Sequence, residues 1–207
     1  MPVDLNKIRG CGIVPVALVG GKEVKFLLGR EQEFKGWSGS GKYADFGGKR
    51  EEGENVLACA AREGYEESMG VLGSEKELRE KVLPSSKDYI DAFAVENVNE
   101  HFVIVVRSFY NKYLPKLFRD VFEYFIRCGK KRDEGKYEIA GCPEGFLEKD
   151  EIRWFGYDEL RQLVMSGEGR GESGGSLLRP YFARCMEVMF DKYPTEKDLV
   201  ECMRGRR

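Results

Sequence analysis

The segment that most constrains this chain runs from Asn55 to Ser68, where the residue pattern predicts an amphipathic helix that carries three carboxylates. Asn55 suits the N-cap, because its side-chain oxygen can accept hydrogen bonds from the first free N–H groups of a helix. Glu63, Glu66 and Glu67 are spaced i, i+3 and i+4, so they share one face. The adjacent face is small and apolar, with Leu57, Ala60, Ala61, Gly64 and Ser68. We therefore expect the helix to pack flat against another layer and to present the carboxylates beside that contact.

Three converging carboxylates repel one another, on an exposed helix and more strongly when partly buried. A divalent cation removes this repulsion, and hard cations such as Mg²⁺ prefer oxygen ligands and also hold phosphate oxygens. Directly upstream, Phe46-Gly47-Gly48 would let the backbone approach such a cation and offer a carbonyl oxygen. The alternative is a solvated acidic helix, which is favoured if the three glutamates are considered alone.

The spacing of a longer segment, Gly48 to Gly70, adds to this argument. Its fixed positions are Gly48, Glu54, Arg62, Glu63, Glu66 and Glu67. They resemble the Nudix box of the Nudix hydrolases, Gly-x5-Glu-x7-Arg-Glu-U-x-Glu-Glu-x-Gly-U, where U is aliphatic. Six fixed positions match by chance in such a chain with a probability on the order of 10⁻⁴. Two positions depart from the pattern: Gly64 replaces the aliphatic residue after Arg-Glu, and the final glycine, Gly70, comes one residue late.

The resemblance implies a fold, an activity and a metal site. The implied fold is α/β (α+β), an αβα sandwich with a central mixed sheet, in which the box forms a loop–helix–loop. The implied activity is hydrolysis of a nucleoside diphosphate linked to another moiety. The implied ligands of Mg²⁺ or Mn²⁺ are Glu63, Glu66, Glu67 and the carbonyl of Gly48. The metal would polarise the pyrophosphate and lower the pKa of an attacking water.

The resemblance leaves several candidates for the general base. Glu66 or Glu67 can take this role within the box. In some members of the family a glutamate on a loop before a late strand serves instead, and residues 151–155 here resemble that strand. Glu148 and Glu151 are therefore also catalytic candidates, with surface charge on a loop as the alternative for each.

Basic and aromatic residues near the box are candidates for substrate contacts. The basic ones are Arg30, Lys42, Lys49 and Arg50. Each one taken singly is more typical of a solvated side chain, but together we expect one or two to contact phosphate. Trp37 is the aromatic candidate for stacking on a base, whereas Phe46 is expected in the core.

Three further residues are expected to have structural roles. Arg62 lies one residue off the acidic face, and we expect it to pair with Glu54 across the loop–helix junction. His101 is the only histidine, so a Ser-His-Asp or Cys-His mechanism would have to use it. Because His101 begins an apolar, strand-like run, a structural role is favoured.

The hydrophobic pattern along the rest of the chain predicts strands mixed with helices. Residues 11–19 and 24–29 are predicted to form a hairpin, with further strands at 89–95, 101–107 and 151–157. Helices are predicted at 75–81, 114–128, 158–165 and 178–190, and loops at 130–135 and 165–176. We interpret residues 1–207 as one domain with an insertion at about 108–145 and a C-terminal helical extension at about 177–203.

The composition excludes several classes of protein. The 207 residues include 34 basic and 36 acidic ones, and the formal net charge of −2 argues against a uniformly basic nucleic-acid binder. Hydrophobic residues make up 42%, too many for a disordered chain. The sequence shows neither a membrane-length apolar stretch nor a secretory signal pattern, and its six cysteines form no C-x-x-C pair. We therefore expect a cytoplasmic protein with reduced thiols and no membrane association.

The box does not specify the substrate. The predicted insertion has an aromatic-rich helix flanked by basic residues, namely Lys112, Lys116, Arg119, Arg127, Lys130, Lys131 and Arg132. Such a surface suits RNA through phosphate contacts, and the chain also loosely resembles Nudix enzymes of large DNA viruses, some of which remove the mRNA 5′ cap. The expected partner is a nucleotide or capped RNA.

Several alternatives to this interpretation stay open. Small nucleotides, dinucleoside polyphosphates and diphosphoinositol polyphosphates are alternative substrates. A Nudix-fold module that binds a nucleotide without cleaving it, or a purely structural interaction protein, would lack catalysis. A homodimer is compatible with the resemblance, since many family members are dimers.

Overall fold

The first two strands form the predicted hairpin in the computed structural model, which describes residues 5–33, 36–95, 101–131, 137–166 and 177–205. Strand β1 (Gly10–Val19) and strand β2 (Glu23–Glu31) pair antiparallel. Gly20 and Gly21 lie in the turn with φ values of 58° and 75°, which glycine adopts without a Cβ penalty. The predicted hairpin is confirmed.

The described residues contain seven further strands and six α-helices. The strands are β3 (Tyr43–Ala44), β4 (Phe46–Lys49), β5 (Tyr89–Val95), β6 (His101–Arg107), β7 (Lys130–Lys131), β8 (Tyr137–Glu138) and β9 (Lys149–Gly156). The helices are α1 (Val56–Glu67), α2 (Glu75–Lys81), α3 (Leu114–Cys128), α4 (Tyr157–Met165), α5 (Pro180–Lys192) and α6 (Glu196–Gly205). A 3₁₀ turn at Leu5–Lys7 precedes β1.

The main sheet is mixed and has β1 near its centre. Strand β1 pairs in parallel with β6, and β5 continues the sheet antiparallel to β6. On its other side β1 pairs with β2 at one end and with β4 at the other. Strand β2 pairs with β3 and, along its opposite edge, with β9. The sheet therefore places β4 and the start of β9 near the ends of β1 and β2.

Helices cover both faces of this sheet. One face packs with α1, α2 and α3 through side chains such as Ile13 and Leu27. The other face packs with α4, α5 and α6 through side chains such as Val14 and Phe26. Neighbouring residues of one strand face opposite layers, as strand geometry requires. The predicted αβα sandwich around a mixed sheet is confirmed.

Helix α1 lies close against β1 because a glycine faces the strand. Asn55 caps the helix, its Oδ1 accepting hydrogen bonds from the backbone N–H groups of Leu57 and Ala58. A Cβ at Gly64 would lie 2.5 Å from Cδ1 of Ile13, so only glycine fits at this distance. This contact explains the departure from the aliphatic residue of the box pattern.

The helix predicted at 114–128 is present, but two predictions in the second half of the chain differ from the structure. Residues 130–135 were expected to be a loop, but Lys130 and Lys131 pair with β8 as a short ladder. A single helix was expected at 178–190, whereas the chain forms α5 and α6 around Pro194, which cannot continue a helix by donating an N–H. The glycine-rich loop predicted at 165–176 lies, apart from residues 165 and 166, outside the described residues. None of the helices described is long and apolar enough to cross a bilayer.

Candidate functional site

Arg62 organises the carboxylates at the start of the candidate site. Its Nε and Nη2 donate to the two carboxylate oxygens of Glu54, both at 3.0 Å, which is the expected pair. Its Nη1 lies 2.8 Å from Oε1 of Glu63 and 3.2 Å from Oε2 of Glu66. Its Nη2 also donates to the carbonyl of Lys49 at 2.9 Å. One guanidinium therefore fixes the loop before α1 and two of the three box glutamates.

Glu63 lies directly over Gly48. A Cβ at Gly48 would approach Oε2 of Glu63 to 2.5 Å, so this glycine leaves the space that the carboxylate occupies. Burial raises the pKa of Glu63 to about 7, because the opposing charge of Arg62 does not offset the burial and the charges of Glu66 and Glu148.

Glu67 is buried at the end of the same helix. Its Oε2 accepts a hydrogen bond from the backbone N–H of Gly47 at 2.6 Å and lies 3.4 Å from Nζ of Lys149. Burial raises the pKa of Glu67 well above its ordinary value; Lys149 opposes this, and the charge of Glu31 adds to it. The carboxylate is thus held by groups from β4 and β9.

Glu66 lies between Arg62 and the loop that precedes β9. A Cβ at Gly145 would lie 2.7 Å from Oε2 of Glu66, so this loop passes closely over the carboxylate. Burial raises the pKa of Glu66, while Arg62 lowers it. The loop that precedes β9 is therefore part of the wall around the box glutamates.

The donor set at this site fits a hard divalent cation. Carboxylate and carbonyl oxygens are the ligands that Mg²⁺ prefers, and the absence of a side chain at Gly48 lets the Glu63 carboxylate lie close to the backbone of residue 48. Burial is the largest cause of the raised pKa values of Glu63 and Glu67, and a divalent cation bound by these carboxylates would favour their charged forms. In the described part of the chain, however, no three Asp, Glu, His or Cys side chains are already arranged around a metal position. The set Gly48, Glu63, Glu66 and Glu67 therefore stays a prediction.

The two candidate bases outside the box lie in different surroundings. Glu148 is exposed, and its charge raises the pKa of both Glu63 and Glu67, which requires it to lie near them. Glu151 accepts a hydrogen bond from the hydroxyl of Tyr43 at 2.5 Å. Tyr43 belongs to the core on the opposite face. The structure thus brings Glu148 towards the box and not Glu151.

The predicted substrate contacts also differ in their surroundings. Arg30 pairs with Asp150 at 2.8 Å and with Glu151 at 3.5 Å, so its charge is already balanced. Lys49 is exposed next to the site, and Lys42 is partly exposed.

Two further candidates for substrate contacts, Arg50 and Trp37, already have contacts within the protein. Arg50 is structural, since it donates to the carbonyls of Ile8 and Glu54. Trp37 is 39% exposed, and the guanidinium of Arg179 lies 5.1 Å from the centre of its ring. One ring face of Trp37 is thus used within the protein.

Sequence reasoning missed the buried charges beside Glu67. Lys149 is fully buried and lies 2.7 Å from Oε1 of Glu31. Arg179 contacts the same oxygen at 2.8 Å. Lysine and glutamate are almost never fully buried unless paired, and these partners are far apart in sequence. The available signal was position: Glu31 lies two and four residues after the buried Gly29 and Leu27 of β2, so strand geometry predicts that it shares their face.

His101 has the structural surroundings expected for it. Its Nε2 lies 2.7 Å from Oδ2 of Asp45, which is fully buried. The hydroxyl of Tyr181 donates to Oδ1 of the same carboxylate at 3.2 Å. His101 and Tyr181 therefore hold a buried acid two residues before Gly47.

Comparisons with known proteins identify similar structures but no sequence relatives. No family model matches the chain, and no curated protein matches it. The chain is similar to the Nudix hydrolase RenU from M. smegmatis, with 12% identity, a TM-score of 0.49 and coverage of 91% of this chain and 87% of that chain. It is also similar to an Ap4A hydrolase from C. elegans, with 13% identity, a TM-score of 0.40 and coverage of 89% and 98%. The Nudix domain of NrtR from Shewanella oneidensis, solved with ADP ribose, gives 11% identity, a TM-score of 0.41 and coverage of 91% and 89%. At these identities and TM-scores, the likenesses establish neither family membership nor activity.

Proposed function

We propose that this chain is a metal-dependent pyrophosphohydrolase that cleaves a nucleoside diphosphate linked to another moiety, as its box resemblance implies. The observation that carries the proposal is the geometry at the end of α1. Glu63 and Glu67 are buried against the glycines of β4, at the spacing that the box requires.

The residues of the site would divide the work as follows. Glu63, Glu66, Glu67 and the carbonyl of Gly48 would hold Mg²⁺ or Mn²⁺. The cation supplies polarisation of the phosphate oxygens and a lowered pKa for the attacking water. Lys49 is the described basic residue that is both exposed and next to the site, so it suits a phosphate contact.

The proton of the attacking water needs an acceptor at the same site. Glu148 suits this role best of the four candidates, because it is exposed, whereas Glu66 and Glu67 are proposed to bind the metal. Glu151 is the weaker candidate, since it contacts Tyr43 and Arg30.

The finer proposal is that the substrate is the mRNA 5′ cap. It is supported by the exposed side of the insertion, where Phe109, Tyr113 and Tyr124 are solvent-accessible. Exposed Lys112, Lys116 and Arg119 lie among them. Aromatic rings that stack on bases, interleaved with cations that contact phosphates, suit single-stranded RNA. A viral source, a cytoplasmic location and a homodimer are parts of the same proposal.

A substrate panel tests the proposal. Purified protein with Mg²⁺ or Mn²⁺ is incubated with capped RNA, a nucleotide sugar, a dinucleoside polyphosphate and a diphosphoinositol polyphosphate, and the products are identified by mass. We expect release of a nucleoside monophosphate or diphosphate, which E66Q or E67Q abolishes. E201Q, in the exposed part of α6, is the matched control and should retain full activity.

The same panel separates the enzyme from a binding module. If no substrate is cleaved while a nucleotide still binds, the module without catalysis replaces the enzyme as the conclusion. If only the small substrates are cleaved, the proposed hydrolase activity is supported and the proposed specificity for capped RNA is wrong.

A further inference from the structure

Lys149 is a lysine without exposed atoms that lies between two buried carboxylates. Its Nζ is 2.7 Å from Oε1 of Glu31 and 3.4 Å from Oε2 of Glu67. Glu31 and Glu67 are each only 2% exposed. A buried charge is costly unless it is paired, and these two acids offset the cost of burying Lys149.

A β-bulge places Lys149 on the α1 side of the sheet. In the β2–β9 ladder Arg30 pairs with Glu151 and Glu31 pairs with Lys149, so Asp150 is an extra residue. Side chains two residues apart in a regular strand share a face, which would put Lys149 on the side of Glu151. The bulge changes this alternation, since bulges re-aim side chains.

A glycine makes room for the lysine. A Cβ at Gly29 would lie 3.0 Å from both Cγ and Cδ of Lys149. The aliphatic part of the lysine therefore lies across β2, and its ammonium group reaches the end of α1.

Lys149 acts on one oxygen of Glu67. The same oxygen, Oε2, also accepts the N–H of Gly47 at 2.6 Å. Donors from β4 and β9 thus converge on Oε2. Glu63 is held differently, by Arg62 of its own helix.

A second cation holds the partner of Lys149. Nη1 of Arg179 contacts Oε1 of Glu31 at 2.8 Å, the same oxygen that Lys149 contacts. The guanidinium of Arg179 also lies 4.6 Å from the ring centre of Tyr181 and 5.1 Å from that of Trp37. Glu31 is therefore fixed from two sides.

We infer that Lys149 is a positioning residue, which holds Oε2 of Glu67 against the protein, so that Oε1 would be the oxygen left to bind a cation. Glu31 orients Lys149, and Arg179 orients Glu31. The inference rests on the proposed function, because Glu67 is a ligand only if the site binds a metal.

The sign of a change in metal affinity tests this role. K149M removes a positive charge close to the cation, so electrostatics alone would tighten Mn²⁺ binding. Loss of positioning predicts the opposite, a weakening of about 10- to 100-fold, as is typical when a group that orients a ligand is removed. Mn²⁺ affinity is measured from the free-ion electron paramagnetic resonance signal, in parallel with kcat and KM on the cleaved substrate. We expect kcat to fall by a similar factor, with KM changed much less.

Three further variants control for folding and charge. E31Q/K149M removes the buried ion pair between Glu31 and Lys149. Urea denaturation checks that this variant folds, and we expect it to bind Mn²⁺ as weakly as K149M. E31Q alone should weaken binding less than K149M, because it acts one contact further away. K197M, at an exposed lysine of α6, should match wild type.

The outcomes separate the inference from the proposed function. If wild type binds Mn²⁺ and folded K149M and E31Q/K149M bind it equally well or more tightly with unchanged kcat, the positioning role is overturned while the function stands. If wild type binds no Mn²⁺, the proposed function fails and the inference fails with it.

Discussion

Gly48 limits the candidate site at the scale of a single residue. Oε2 of Glu63 lies where a Cβ at this position would be, at 2.5 Å. A methyl group therefore has to displace the carboxylate, because the strand β4 that carries residue 48 is fixed by pairing with β1. Gly48 therefore leaves space for the Glu63 carboxylate, in addition to the proposed role of its carbonyl as a metal ligand.

G48A should therefore weaken Mn²⁺ binding and lower turnover by about 10-fold or more, as removal of support from a metal ligand generally does. Metal titration and steady-state kinetics measure both effects. Gly205 is the matched control, because a Cβ there has no atom within 4 Å, and G205A should behave as wild type. Full activity in G48A would show that Glu63 does not need its observed position.

Asp45 predicts a pH dependence of stability. Although burial raises its pKa, the charge and hydrogen bond of His101 and the charges of Lys149 and Arg179 lower the pKa below its ordinary value of 3.8. Tyr181 also donates to it. A lowered folded pKa means that the unfolded state binds protons first as the pH falls. The stabilisation is thus complete well above pH 3.8 and is lost as the pH falls through the folded pKa.

We expect the difference in unfolding free energy between wild type and D45N to shrink as the pH falls below about 4. Urea denaturation at a series of pH values measures it. D158N, at an exposed position of α4, should give a curve parallel to wild type. A difference that grows as the pH falls would contradict the sign of the shift.

At the scale of elements, the contact between α1 and β1 sets where the carboxylates lie. Gly64 faces Ile13 so closely that a Cβ would overlap Cδ1. The flat, small face predicted for α1 is therefore required by the distance between helix and strand.

G64A should destabilise the protein by about 1–3 kcal/mol through overpacking, less a gain of up to about 1 kcal/mol from helix propensity. Urea denaturation measures the net cost. I13V removes the Cδ1 atom that a Cβ would meet, so G64A should cost less in the I13V background. Additive effects of the two changes would show that the close contact is not the cause.

The insertion is the element to which the RNA proposal belongs. The charge reversal K112E/K116E/R119E should slow cleavage of capped RNA and weaken its salt dependence, because fewer phosphate contacts release fewer counterions. Cleavage of small nucleotides should be unchanged. K192E/K197E, on α5 and α6, is the control, because it also reverses surface charges but lies on other helices, and it should leave cleavage of capped RNA unchanged. If cleavage of capped RNA and of small nucleotides fell equally, residues 112–119 would have no specific role in binding RNA.

At the scale of the whole molecule, the site joins parts that are far apart in sequence. The start of β4, the end of α1, the start of β9 and the segment before α5 all contribute a charged or polar group. A cation that bound there would therefore stabilise the complete fold and not only one helix.

Mn²⁺ should raise the melting temperature of wild type, because a ligand that binds only the folded state stabilises it by about 2.7 kcal/mol at 100 times its Kd. For a chain of this size that corresponds to roughly 5–10 °C. Differential scanning fluorimetry with Mn²⁺, and then with excess EDTA, measures the shift and its reversal. E67Q should show a smaller shift. An equal shift in E67Q and wild type would place the metal elsewhere.

Local patterns were enough to predict the hairpin and the helices other than α6, whereas the αβα architecture was implied by the box resemblance. Asn55, the apolar spacing of α3 and the glycines at 20 and 21 each act within a few residues, so their effects are visible without the fold. The box glutamates belong to the same class, since i, i+3 and i+4 spacing fixes a shared face. That the chain forms a single domain stays a prediction.

The sequence by itself determined which residues make α1 and which of its faces carries the carboxylates, because helix geometry depends only on spacing. Tertiary structure alone decided what holds Glu67. Lys149 reaches it because a bulge at Asp150 changes the alternation of β9 and because Gly29 leaves room across β2. It also decided that Glu148, and not Glu151, lies towards the box. Such contacts arise from strand register and packing between distant segments, which no local spacing encodes.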